Sequence, residues 1–223
     1  MQPGFLPSLA LVASLAILVQ PTVLAVEHTG VEMSKDTQYF PGLDDRDGFQ
    51  AIDGMLDGFL QYGQSLPFLD IQVGGEISVS NDDIVKKPWN SKSFEARGKI
   101  QLVQYVAAIP GAARQNKAFN DLLMEKKFSS MHLETTVIVH FADTMSLLKG
   151  IVVNRVAKNK IKHEKINFVI DDYGVGLQRW GMKNKSSAII VLDASGKILF
   201  AKDGPLSEYE IERTIALIEN QMS

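Results

Sequence analysis

The chain has 223 residues, 45% hydrophobic and 22% charged, with 23 basic against 26 acidic side chains and a net charge of −3. These proportions exclude collagen-like and wholly disordered chains, and the near-neutral balance supplies no overall drive toward nucleic acid. The chain contains no cysteine, which excludes disulfides, thiolate metal sites and thiol-based catalysis.

Residues 1–26 carry no charged side chain, and Leu9 to Val19 is an apolar run broken only by Ser14. Pro21 ends any helix there, since it lacks an N–H and clashes with the preceding turn. Val23-Leu24-Ala25 then offers small residues where a signal peptidase reads. The expectation is a secretory signal at 1–25 and a periplasmic protein beginning at Val26. No Lys or Arg precedes the apolar run, so the alternatives are an uncleaved anchor in the inner membrane or a start at Met33 or Met55. No later stretch is long and apolar enough to span a bilayer.

Residues 26–63 form an acidic extension with Asp44, Asp45 and Asp47. Phe49, Ile52, Met55, Leu56, Phe59 and Leu60 then recur at helical spacing, which predicts an amphipathic helix packed on the domain that follows. A calcium loop is rejected, because its first and last positions would be Leu43 and Gly54.

The domain at 64–223 alternates strand and helix. Ile71 to Val79 reads as a hairpin turning at Gly74-Gly75. Lys99 to Ala107 is a strand apolar enough to be buried on both faces, and Gln115 to Lys127 a helix with Phe119, Leu122 and Leu123 inward. Thr135 to Phe141 is the next strand. Asp143 caps a helix reaching about Lys158, carrying Leu147, Leu148, Ile151 and Val152. Strands at Ile166–Ile170 and Ala188–Leu192 follow, and Asp193 to Gly196 turns into a last strand at Lys197–Lys202. Ser207 and Glu210 form a capping box opening a final helix at Glu208–Asn220. Strands joined by helices imply a parallel core, and the late hairpin adds an antiparallel edge. The fold class is therefore α/β: a mixed central sheet flanked by helices, thioredoxin-like, with an N-terminal hairpin and a preceding acidic extension.

Particular residues carry a family resemblance. They are Trp89-Asn90-Ser91, Gly98-Lys99, Ile170-Asp171 followed by Gly174-Val175 and Trp180, the run Ser186 to Asp193, Gly196-Lys197, and Ala201 to Leu206. From Leu60 to Ser223 the chain resembles the YtfJ family, small exported proteins of gammaproteobacteria with a thioredoxin-like domain. Some members carry a transcriptional-regulator label. An export signal and the lack of a helix-turn-helix with a basic recognition face argue against that here. The extension departs from the family pattern, in which the domain follows the signal almost directly.

In thioredoxin-like proteins the first core strand runs into a redox tetrapeptide at a helix start, opposite a cis-proline. By position the tetrapeptide is Pro110-Gly111-Ala112-Ala113 and the proline site is Ser187. Neither has its chemistry, and Ser187 is expected trans because a non-proline cis bond costs ~3 kcal/mol. The expectation is a redox-inactive periplasmic protein that binds a peptide, protein or small anion. Its groove is formed by Pro110, Gly111, Ala112, Trp180, Ser186 and Ser187. The opposing reading makes Pro110 a helix start, the serines partners of loop backbone and Trp180 core.

Other chemistry is sparse. His28, His132, His140 and His163 are not paired at ligand spacing, so neither metal nor cofactor is expected. No phosphate loop, dinucleotide fingerprint or nucleophile elbow is present, and Ser129-Ser130 has no nearby histidine. No catalytic residue is assigned. A non-thiol hydrolase would need a carboxylate or His140 to reach the groove. An envelope-surface binder of lipid or polyanion would use the basic run Lys149, Arg155, Lys158, Lys160, Lys162, His163 and Lys165. The run also reads as a solvated helix end. The export reading has a direct check: N-terminal sequencing of exported protein is expected to begin at Val26, and Met1 retained in a membrane fraction would favour the anchor.

Overall fold

A computed structural model describes residues 60–222 except 82 and 143. The acidic extension up to residue 59, its expected helix and the Asp143 cap lie outside the described residues. One seven-stranded sheet organises the domain, in the order β2-β1-β5-β4-β3-β6-β7. Its strands are β1 (Asp70–Ser80), β2 (Asp83–Asn90), β3 (Ile100–Ala107), β4 (Leu133–His140), β5 (Ile166–Asp171), β6 (Ser187–Leu192) and β7 (Ile198–Asp203). The helices are α1 (Ala112–Gln115), α2 (Lys117–Lys126), α3 (Ser146–Lys162), α4 (Val175–Trp180) and α5 (Glu208–Asn220).

β3, β4 and β5 run parallel, and β6 and β7 close one side antiparallel. A β-α-β unit followed by a β-hairpin and a helix, with the first strand between the second strand and the hairpin, is the thioredoxin-like arrangement. β3 is buried along its whole length because β4 and β6 flank it and helices cover it. Successive side chains point to opposite faces. Leu102 meets Phe119 and the α5 residues Ile211, Ile215 and Ile218 on one face. Val103 and Tyr105 meet Trp89, Trp180 and Leu69 on the other. The Ser207–Glu210 capping box is present, with both reciprocal bonds made.

The hairpin exists, but its turn is not Gly74-Gly75. β1 continues through both glycines to Ser80, and the chain reverses after it, where Asn81 has φ 50°. The register slips between Ile71, opposite Trp89, and Glu76, opposite Lys87. Within this bulge β1 pairs with β5, Gly74 opposite Asp171 and Gly75 opposite Ile170. A Cβ on Gly74 would lie 2.3 Å from the Ile170 carbonyl oxygen, and one on Gly75 1.9 Å from that of Lys87. Gly-Gly thus passes a strand between two close neighbours instead of reversing it.

Two helices also differ from expectation. The helix expected over 115–127 is broken at Asn116, for a reason given below. α3 extends to Lys162 and buries Val152, Val156 and Ala157 against the sheet. Leu147 is 86% and Ile151 56% exposed, so its first turns do not face the core as their spacing suggested.

The glycine pair sets a test. Gly75→Ala is expected to cost about 3 kcal/mol or more, combining φ +81° with a backbone clash. Gly63→Ala, at φ +74° in open space, is expected to cost only about 1–2 kcal/mol. Urea unfolding of both variants measures the difference.

Candidate functional site

The three parallel strands end side by side, Ala107 beside His140 and His140 beside Asp171. In open α/β sheets this carboxyl edge is where ligands bind. After β3 the chain passes Ile109 and Pro110, both half-buried, and exposed Gly111, then enters α1. Ala112 and Ala113 are buried. β6 starts directly opposite, with Ser187 paired to Val106. The tetrapeptide Pro110 to Ala113 thus leads from the end of β3 into α1 and carries no thiol, hydroxyl or charged side chain.

The residues facing it are already occupied. The peptide bond before Ser187 is trans, there being no cis bond among the described residues. Ser187 N–H donates to Gln115 Oε1 at 3.0 Å. Its carbonyl accepts from Asn116 Nδ2 at 3.0 Å and from Gly204 N–H at 3.1 Å. The Ser186 carbonyl accepts from Ala107 N–H at 2.9 Å, and Ser186 Oγ donates to Gln115 Oε1 at 3.4 Å. Both main-chain groups of Ser187 thus serve the fold.

Asn116 explains the helix break. It is 2% exposed, and its Nδ2 also donates to the Gly204 carbonyl at 3.1 Å, while its Oδ1 accepts from Leu206 N–H at 2.9 Å. A side chain turned fully inward on these groups sits at φ −108°, ψ 30°, outside regular helix. A cavity of about 30 Å³ is bordered by Ala113, Ser187, Gln104 and Asn120 together with Val137, Val156 and Phe168 of β4, α3 and β5. Gln104 Nε2 donates to Asn120 Oδ1 at 2.8 Å on its wall. That volume holds a water or two, not a substrate.

Trp180 does not join this group. It is fully buried on the other face of the sheet, edge-on to Tyr105 at 5.6 Å, with its indole N–H donating to the Pro67 carbonyl at 2.8 Å. Pro110, Gly111, Ala112, Ser186 and Ser187 come together; Trp180 is core.

Among the described residues, Asp171 and His140 at the neighbouring strand ends are both buried. Asp171 is fully buried and accepts from Tyr105 Oη at 2.8 Å and from the Val175 and Gly176 N–H groups, each at 2.9 Å. His140 is 1% exposed and stacks on Tyr105 with centroids 5.0 Å apart. Burial, then the Asp171 charge and the hydrogen bond to it, push the Tyr105 phenol far above its ordinary range. It is thus a fixed neutral donor. Tyr105 was not singled out from the sequence. The available signal was a lone phenol in an apolar strand, whose hydroxyl must find a partner when buried. Asp172 engages Lys149 at 3.8 Å. At the other end of α3, Lys160 donates to the Glu164 and Ile166 carbonyls, so the basic run does not converge. Among the described residues no cluster of His, Asp and Glu is arranged to hold a metal.

The sequence model described as "Bacterial protein of unknown function (YtfJ_HI0045)" matches residues 60–221. The chain belongs to the YtfJ family. Within the YtfJ family, an uncharacterised protein from Haemophilus influenzae is 35% identical over 159 residues, covering 71% of this chain and 85% of its own. The uncharacterised protein YtfJ of Escherichia coli is 29% identical over 157 residues, covering 70% and 84%. Among solved structures, a putative thiol:disulfide interchange protein DsbE from Chlorobium tepidum aligns with TM-score 0.49 and 14% identity, over 74% of this chain and 99% of that one.

The two carboxamides of this YtfJ-family site are expected to differ in weight. Asn116→Ala should cost about 3 kcal/mol, because it strands several buried backbone groups. Gln115→Ala, at a half-buried position, should cost about 1 kcal/mol. Chemical denaturation of the two variants checks the order.

Proposed function

We propose that this chain is a redox-inactive, exported protein of the periplasm that acts by binding a peptide or protein segment at the loop around Pro110 and Gly111. The observation that carries this reading is the redox position itself. Its scaffold is kept while the two ends of the tetrapeptide are Pro110 and Ala113 and a trans serine stands at the cis-proline position. Export rests on the apolar leader ending at Val23-Leu24-Ala25. No helix among the described residues is long and apolar enough to cross a membrane.

A peptide is favoured over a small anion. α1 has four residues, so few dipoles align behind the loop N–H groups. Gly111 is exposed, with nothing within 4 Å of a built Cβ, so the loop tip is open to a large partner. An extended segment pairing beside β6 must first displace the Gln115 carboxamide from Ser187 N–H. Gln115 acts as a side-chain plug in the place of a bound strand. A hydrolase reading has no support in the geometry, since Asp171 and His140 lie buried behind the loop.

A photo-crosslinking residue at position 111 of the full chain, expressed in exporting cells, tests the reading. Covalent adducts are expected at 111 and not at Met131, an exposed control 75% accessible. Adducts no more frequent at 111 than at 131 would remove the loop as the binding site. Purified protein is expected to show no insulin reduction.

A further inference from the structure

The two main-chain groups of Ser187 are held with unequal firmness. Its carbonyl lies inside, taken by Asn116 Nδ2 at 3.0 Å and by Gly204 N–H at 3.1 Å. Its N–H meets only the side chain of Gln115, whose Oε1 stands 3.0 Å away and also accepts from Ser186 Oγ at 3.4 Å. The other end of the same carboxamide, Nε2, donates to the Lys185 carbonyl at 3.4 Å. One side-chain amide therefore spans Ser186, donating to the residue before it and accepting from the residue after it. A carbonyl and an N–H so placed are what a strand edge offers to a neighbouring strand. Gln115 fills both with a single neutral group.

The backbone around this amide is fixed, while the amide itself is free to turn. Asn116, the next residue, is 2% exposed and tied to Ser187, Gly204 and Leu206, so the end of α1 cannot withdraw. Gln115 is half-buried, and of its three contacts only the one to Ser187 has ordinary hydrogen-bond length. Rotation of its side chain releases the Ser187 N–H and the Lys185 carbonyl without moving sheet or helix. Lys185 adds a second sign. It is held at φ 59°, a costly conformation for a residue with a Cβ, in the turn that delivers its carbonyl to Gln115. Strain of this kind collects at ligand clamps and switches.

We propose that Gln115 is an autoinhibitory latch: it closes the Ser187 edge of β6 in the resting protein and swings out when the main chain of an extended peptide takes over its two bonds. The proposal rests on the peptide-binding reading above and adds the regulation of that site and the chemistry it selects. A site that both donates and accepts is matched by an amide. A carboxylate or phosphate would accept from the Ser187 N–H but set its charge against the Lys185 carbonyl. The latch also weakens binding, because a partner meets only the fraction of molecules that stand open.

The test uses the full chain, exported in cells, with a photo-crosslinking residue at position 111. That position lies beside the latch, since the Gly111 carbonyl accepts from Arg114 N–H at 3.2 Å. Gln115→Ala is expected to raise the adduct yield at 111 by roughly three- to tenfold, the weight of one net hydrogen bond, and to leave the yield at Met131 unchanged. Gly63→Ala, a remote variant of similar cost to stability, should change neither yield, which separates an open latch from a loosened fold. In the purified protein, deuterium exchange at the Ser187 amide should quicken in Gln115→Ala and not in Gly63→Ala. Adducts at 111 that exceed those at 131 but do not rise in Gln115→Ala would overturn the latch and leave the binding loop standing. A fall in Gln115→Ala would also overturn it, making Gln115 a contact of the partner. So would an equal rise in Gly63→Ala, or unchanged exchange at Ser187. Adducts no more frequent at 111 than at 131 in either background would remove the loop and the latch together.

Discussion

One buried carboxamide, that of Asn116, joins the end of α1, the first residue of β6, the exit of β7 and the approach to α5. Three polar backbone groups take bonds from it where segments converge without regular pairing. Burying such groups unpaired is expensive, so the helix gives up its regularity at one residue to satisfy them. The same choice fixes the chemistry of the edge. With the Ser187 carbonyl held by Asn116 and its N–H held by Gln115, the start of β6 becomes part of a closed, neutral network.

Asp171 does comparable work one layer away. Its carboxylate gathers a phenol and two main-chain N–H groups, which sets both the turn into α4 and the position of Tyr105 beneath Trp180 and His140. Gly176 is part of that fit, since a Cβ there would lie 2.5 Å from the Tyr105 ring. The acids and aromatics that suggest catalysis by type are thus used up in holding the carboxyl ends of β3 and β5 together.

The strands from β3 onward, their alternation with helices and the capping box at Ser207 were legible from the sequence, because each rests on a periodicity or a local bond, whereas β2 was not. Tertiary demands decided the rest. Gly74-Gly75 reads as a turn by chemistry, but the same freedom of φ lets β1 pass between Lys87 and Ile170, and nothing local distinguishes the two uses. Leu147 and Ile151 share a stripe with helical spacing that a core would bury, yet the sheet ends before their turns. Gln115 joins the segment that follows Pro110 and Ala112 to Ser187, while Trp180 lies apart, because its distance in sequence from Ser187 says nothing of which face of the sheet it joins.

The sheet's two outer strands are closed in different ways. β2 exposes Lys86 and Lys87, and Pro88 beside them has no N–H to offer a neighbouring strand. β7 is covered where it begins: Gly63 N–H donates to the Ile198 carbonyl, Ile198 N–H donates to the Gln64 carbonyl, and Ser65 bridges Lys197. Like charge and a missing donor guard one margin, and the chain's own entering segment guards the other. Concentrated or crowded protein therefore has little opportunity to grow ribbon by ribbon into fibrils, and association is left to the side chains of its loops.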